Sequence, residues 1–598
     1  MISLISLFLT FNCFLINKKE LEKNENEEHF NIFALSLALS ITVLGIIGLL
    51  FFFLNLNDFP IIFLCLPTFT ITILLKKYRD KLKRIFNAYK NDFYYFFKEN
   101  NKKYILFLSI VIILLYLCSI GPINSSDTVS FYVGYPYQYW LRNKHFIDGD
   151  SHQALLGIAD FANIVFFQEK STWLIRFTQS LIILPIFLLL QKRKINKFVI
   201  LIILTSPVFI QWLTIGKYFL FEACVGLSFL IWNIKKNLRN TIILLSLILL
   251  SVSFKVTSLI TGLPIFLYVV YVFRNKLHKF FQAESFKNLL IRLREIKTFI
   301  PLLISISSLF IIILYRIYLT NNPFYPIFNS FFNSENQELI NFTKTLFSWE
   351  KDGLYILWLF IPKNYTKIAS VLGPSTLFLY LFSMFYIFKQ KDNNQIYTVI
   401  GLTQTVLLML FCQGRADYYY CPLLITFAGF NNQDFNLNLF QNNLSINLLL
   451  KKFFFLSLLI QSIMFFLVSF YSIMIVGFTI LNYESGMRNF AWYYHNSNLI
   501  EQEAKGKVAD LTFAIPKLFY NKEYVTRSNF NRCLNTQNQK DKNIAWQNCM
   551  NKMGVTTLIV KENKFKSSPL FKCKSKEFIL ITRNIFLKKK YKVDFCEL

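Results

Sequence analysis

Few residues in this 598-residue chain stand where a charge is expensive, and they are the candidates for chemistry. Asp127 follows an apolar run, Tyr104 to Ile120, long enough to cross a bilayer, and so places a carboxylate beside a surface where a lipid headgroup would sit. Lys255 interrupts the apolar tract Thr241–Phe273, and Lys217 opens a further apolar run. Arg415 stands with Asp417 beside Tyr418, Tyr419 and Tyr420. Each has a plainer reading. Asp127 can cap the following helix, Lys255 can snorkel at a break between two spans, Glu222 can neutralise Lys217, and Arg415 can simply pair with Asp417. Asp148, Asp150, His152 and Asp160 read as solvated loop residues rather than a metal site.

The elements that must hold these residues are apolar. The chain is 54% hydrophobic with a formal net charge of +30, too apolar for an ordinary soluble globule. Its basic residues gather between apolar runs, at Lys76–Lys103, Lys192–Lys197, Lys235–Arg239 and Arg274–Lys297. That positive-inside pattern assigns these segments to the cytoplasm and predicts about 12–14 spans. No compact basic module suggests a nucleic-acid partner. Residues 121–172 and 320–367 then form two outer loops within a transmembrane domain, residues 1–480. In the first, Ser125, Ser126 and Asp127 offer N-caps, and the Tyr- and Trp-rich stretch to Phe146 predicts a helix lying along the membrane surface. Such aromatic runs can stack on sugars, but aromatic belts also occur without them.

Apolar periodicity stops at Leu481, leaving residues 481–598 as a small α/β domain. Val508–Phe513, Thr556–Val560 and Phe578–Thr582 read as strands, the last turning at Arg583–Asn584 into Ile585–Leu587, and Asp541–Met553 reads as a helix. Counting spans places this domain outside, where Cys533, Cys549, Cys573 and Cys596 form two disulfides in one of three connectivities. None has zinc-site spacing.

Three stretches carry a family resemblance. Asp127 to Leu141, DTVSFYVGYPYQYWL, resembles the first-outer-loop motif of GT-C-type membrane glycosyltransferases, closest to a poorly characterised bacterial group. Thr320–Pro326, TNNPFYP, and Gln413–Pro422, QGRADYYYCP, resemble two later motifs of that group. The resemblance implies an all-α polytopic fold with an extracytoplasmic α/β domain, in a bacterial inner membrane. It implies inverting transfer of a sugar from a polyprenyl-phosphate donor to an envelope glycan, lipid or protein acceptor. Asp127 would then be the general base. Lys217, Lys255 and Arg415 would meet the lipid phosphate, with Tyr132, Tyr325 and Tyr418 lining the substrate site. Departures are visible: the group's Tyr-His is Phe131-Tyr132 here, and its turn glycine is Asn321, a residue tolerant of left-handed backbone. No residue flanking Asp127 is acidic, so no metal ligands are assigned, and a divalent metal is left open as a cofactor. The alternatives are a transporter or flippase of lipid-linked glycans, in which Lys255 would be the only strong intramembrane cation, and an inactive scaffold of the same fold.

Overall fold

The computed structural model describes residues 2–597 except segments 17–25, 57–58, 124–127, 143–150, 169–174, 281–298, 333–354, 388–394, 412–415, 431–443, 488–491, 512–520, 538–541, 563–569 and 582–587, and positions 122, 219, 364, 429, 483, 486 and 526. It is mostly helical, with a small sheet domain at the C-terminal end. Among the described residues four helices are long and apolar enough to cross a membrane: His29–Leu54, Lys102–Ser119, Phe299–Thr320 and Asn447–Leu481. A fifth is the pair Lys197–Leu204 and Pro207–Ile215, bent by 43°. Among the described residues nine further apolar helices run 10–17 residues, shorter than a full span.

The bend in that pair is made by Pro207, which cannot donate to the preceding turn. Backbone groups left open at the break find partners: the Val208 amide donates to the Val371 carbonyl at 3.1 Å, and Gln461 Nε2 donates to the Ile202 carbonyl at 2.8 Å. Gln461 thus has a reason to sit at the centre of the 38-residue helix Leu444–Leu481.

Charged side chains separate the two ends of the bundle. At one end Lys81 Nζ donates to the carbonyls of Cys13 and Ile16, at 2.9 and 2.8 Å, and Arg239 Nη2 to that of Leu15 at 2.8 Å. These cations meet the orphan carbonyls where the helix Ile2–Leu15 stops. The basic helix Lys76–Glu99 lies at this end and turns Phe86, Tyr94, Tyr95 and Phe97 outward. Lys197 Nζ stands over the Tyr104 ring at 5.3 Å, which adds the segment after Lys192 to the same end.

Glycines set the packing toward the opposite end. Gly45 and Gly48, on the helix Asn26–Leu54, face the backbone carbonyls of Ile158 and Phe161 so closely that no Cβ fits at either position. The short helix Ile158–Gln168 is thereby laid backbone to backbone on its neighbour.

In the tail, β1 (Val508–Asp510), β2 (Tyr524–Val525), β3 (Thr557–Lys561), β4 (Lys572–Ile581) and β5 (Lys588–Glu597) form one sheet in the order β2-β1-β3-β5-β4. The first three are mutually parallel, and β5 runs antiparallel to both β3 and β4. One face packs Leu558 and Val560 against Phe530 and Trp546, from the helices Arg527–Thr536 and Lys542–Met553. The other packs Val508, Ile559, Phe578 and Phe595 against Ile500 of the helix Trp492–Glu503. Disulfides join Cys533 to Cys549 and Cys573 to Cys596, selecting one of the three connectivities. The expected turn at Arg583–Asn584 lies outside the described residues. Strand Ile585–Leu587 does too, and β5 begins just after it.

Candidate functional site

Tyr132 is where the candidate residues meet. It closes a wide helical turn, Thr128–Tyr132, sealed by the Val133 amide donating to the Thr128 carbonyl at 2.9 Å. Asn163 Nδ2 donates to the Tyr132 carbonyl at 3.1 Å and ties the turn to the helix Ile158–Gln168. Lys217 Nζ lies 4.6 Å from the centre of the Tyr132 ring, and Lys255 Nζ lies 5.8 Å from it. Lys255 Nζ is also 4.9 Å from the Tyr418 ring, so one ammonium stands between two tyrosines. Contacts of this kind stabilise by about 0.5–2 kcal/mol, more as water is excluded. Four residues singled out from sequence, Tyr132, Lys217, Lys255 and Tyr418, therefore share one site.

The backbone puts them there. Lys217 follows Gly216, whose left-handed φ of 70° ends the helix Pro207–Ile215. Lys255 caps the helix Leu238–Phe254, its amide donating to the Ser251 carbonyl at 2.9 Å. Gly157 leaves no room for a Cβ against the Phe254 carbonyl, and so brings the start of the helix Ile158–Gln168 up to Lys255.

Three further charged residues complete the site. Asp160, 3% exposed, accepts from the Gly157 amide at 2.8 Å through Oδ2 and lies within electrostatic reach of Lys217, Lys255 and Arg316. Glu222 accepts from Ser258 Oγ at 2.6 Å and lies within reach of Lys255. Arg316 is 1% exposed, donates through Nε to the Ala154 carbonyl at 3.4 Å, and lies within reach of Asp160 and Tyr132. Among the described residues its Nη2 has no hydrogen-bond partner.

Several sequence-based expectations change here. Asp160 is not a solvated loop residue but the third residue of a buried helix. Glu222 is bonded to Ser258, and its cation is Lys255 rather than Lys217. Lys255 is not the only cation among the apolar helices, because Arg316 was missed. Its signal was a lone arginine four residues from the end of a 22-residue apolar helix, Phe299–Thr320, a place where a snorkelling side chain is the ordinary reading. The helix expected to lie along the membrane surface does form, at Gly134–Arg142, but Tyr135, Tyr137 and Tyr139 are buried in protein. His152 stacks on Phe131, ring centres 5.0 Å apart.

Tyr325 is fully buried against Ala154, the residue whose carbonyl accepts from Arg316 Nε. Its loop is stitched by Asn322, which donates to the Ile327 carbonyl at 2.8 Å and to Asn329 Oδ1 at 2.7 Å, and accepts from the Phe324 amide at 2.9 Å. Asn321 adopts the left-handed φ of 54° that its place in the turn calls for. Asp127, Arg415, Asp148 and Asp150 lie outside the described residues. Among the described residues no group of three or more His, Cys, Asp or Glu gathers as a metal site would.

The tail domain touches the segment that carries Tyr132. Tyr137 Oη donates to Asn521 Oδ1 at 3.1 Å, and the Asn521 and Lys522 amides donate to Glu501 at 3.0 and 3.2 Å. Burial, with Glu501 adding to it, pushes the Tyr137 phenol up to about 12, so it keeps its proton and donates. The tail and the Tyr132 cluster therefore occupy the same end of the bundle. No family model, curated protein or solved structure matches the chain.

Proposed function

We propose that this chain is a multi-pass protein of the bacterial inner membrane with a GT-C-like architecture, its tail domain outside. Its activity in this reading is inverting transfer of a sugar from a polyprenyl-phosphate donor to a cell-envelope acceptor. The observation that carries the proposal is the gathering of Lys217, Lys255 and Arg316 around Tyr132 at one end of an apolar bundle. A lipid phosphate needs cations held out of water, where each contact to its oxygens is strengthened by the low dielectric. Asp127, five residues before Tyr132, is the general base, and Arg415, three residues before Tyr418, is a further phosphate ligand.

Lys217 and Lys255 stand at helix ends, Asp160 and Glu222 are third residues of their helices, and Arg316 is in a last turn or so. The test is to assay the purified full-length chain with a panel of polyprenyl-phosphate sugars, with and without EDTA. Transfer to an envelope acceptor supports the reading. Absence of both transfer and donor binding across the panel would remove it.

A further inference from the structure

Two apolar helices bracket the basic helix Lys76–Glu99, and both turn hydrocarbon outward. Before it, Ile62–Leu74 exposes Leu66, Ile71 and Leu74, and the chain breaks at Leu75 in extended backbone. After it, Lys102–Ser119 exposes Leu106, Ile110 and Ile113 along one stripe. Such faces belong against acyl chains. Each end of Lys76–Glu99 is therefore held where a hydrocarbon wall stops, so the helix between them runs along the bilayer edge. Its inner side, with Lys81, Ile85 and Phe96, is buried against the bundle.

On its outer side Arg79, Lys83, Phe86, Lys90, Tyr94 and Phe97 follow one another at steps of four, three, four, four and three residues, which places them in a single stripe. All are exposed, Phe86, Tyr94 and Phe97 by 67, 63 and 54%. Among the described residues no carboxylate pairs with Arg79, Lys83 or Lys90.

We infer that this stripe docks on anionic phospholipid headgroups of the adjoining leaflet, its cations on their phosphates and its rings at the acyl-chain boundary. The inference rests on the multi-pass reading of the chain but not on sugar transfer. A stripe that faced only water would not set three rings in line with its charges. An acidic protein would satisfy the cations, yet it would have to displace the lipid that the flanking apolar faces hold beside them. Rings with basic neighbours suit the interface, and each cation near an anionic surface adds attraction that a zwitterionic headgroup does not supply.

The purified full-length chain is taken from micelles carrying equal amounts of phosphatidylglycerol and phosphatidylcholine, and the lipids it retains are counted by native mass spectrometry. The wild type should retain phosphatidylglycerol in preference, and less of it as ionic strength rises. Substituting Arg79→Gln, Lys83→Gln and Lys90→Gln together should lower the ratio of the two lipids by about ten-fold or more. Lys552→Gln, Lys572→Gln and Lys574→Gln remove the same charge from exposed positions of the tail and should leave the ratio unchanged. Phe86→Ser with Phe97→Ser should reduce retention of both lipids and keep the ratio. Unfolding temperatures check that each variant is folded. A wild type without preference overturns the docking, as does a tail variant that lowers the ratio equally. A ratio untouched by the stripe substitutions also overturns it and leaves the stripe to an acidic protein. Release of the chain from cell membranes by alkaline carbonate would instead remove the multi-pass reading, and the docking with it.

Discussion

The backbone carbonyl of Phe254 rests against Gly157 at the point where any other residue would carry its Cβ. Phe254 precedes Lys255 and Gly157 donates its amide to Asp160, so one close approach sets the spacing between an ammonium and a carboxylate on different helices. Gly157→Ala should separate the helices or strain them, costing about 1–3 kcal/mol as overpacked sites do. Gly477→Ala is the matched control, because nothing lies within 4 Å of a Cβ built there. Thermal unfolding in detergent should fall for the first and hold for the second. Equal unfolding temperatures would mean that the contact carries no packing load.

The tail disulfides offer a second test. With Cys533 bound to Cys549 and Cys573 to Cys596, the first bridge links two helices and the second links β4 to β5. Peptide mapping of non-reduced protein should recover those two pairs and no other. Replacing both cysteines of one pair by Ser should lower tail stability by about 2–4 kcal/mol. Recovery of four free thiols from freshly prepared membranes would contradict both the bridges and an oxidising compartment.

What the sequence made legible follows from the cost of charge. Lys217 and Lys255 drew notice because an ammonium in an apolar run is expensive, and the structure brings both to Tyr132. Arg316 obeys the same rule and was passed over, because near a helix end the cheaper snorkelling explanation competes. Asp160 was hidden differently. Its burial depends on Gly45, Gly48 and Gly157, which admit backbone contacts that no hydrophobic pattern records. Tyr135, Tyr137 and Tyr139 carry polar tips, so their stretch reads as interfacial; their burial depends on packing supplied by distant segments. In the tail, the expected strands correspond to β1, β3 and part of β4, but β2 spans two residues and is too short for any period to show.

Topology is the third prediction. Lys90 lies on the basic helix at the Lys81 and Arg239 end, and Pro323 lies in the loop stitched by Asn322, near Ala154 and Tyr325. In intact cells a membrane-impermeant thiol reagent should label Pro323→Cys and spare Lys90→Cys. The reverse pattern would turn the assignment over and place the tail, which shares an end with the Tyr132 cluster, in the cytoplasm.

The last prediction concerns Asp127 and turns on what a base must do that a helix cap need not. A cap accepts backbone hydrogen bonds, which Asn does about as well as Asp. A general base must take a proton, and an amide cannot. Asp127→Asn should therefore leave expression, unfolding temperature and binding of the polyprenyl-phosphate donor near the wild type, while turnover falls by about 10²–10⁴-fold. Lys255→Met should instead weaken donor binding, since in the proposed reading the ammonium between Tyr132 and Tyr418 would meet the phosphate in the ground state as well as the transition state. If Asp127→Asn keeps full transfer while Asp160→Asn abolishes it with donor binding intact, the proton goes to the buried carboxylate beside Lys255. If neither substitution changes turnover, the base is neither Asp127 nor Asp160; a wild type that binds the donor and shows no turnover at all would put the scaffold reading in place of the enzyme.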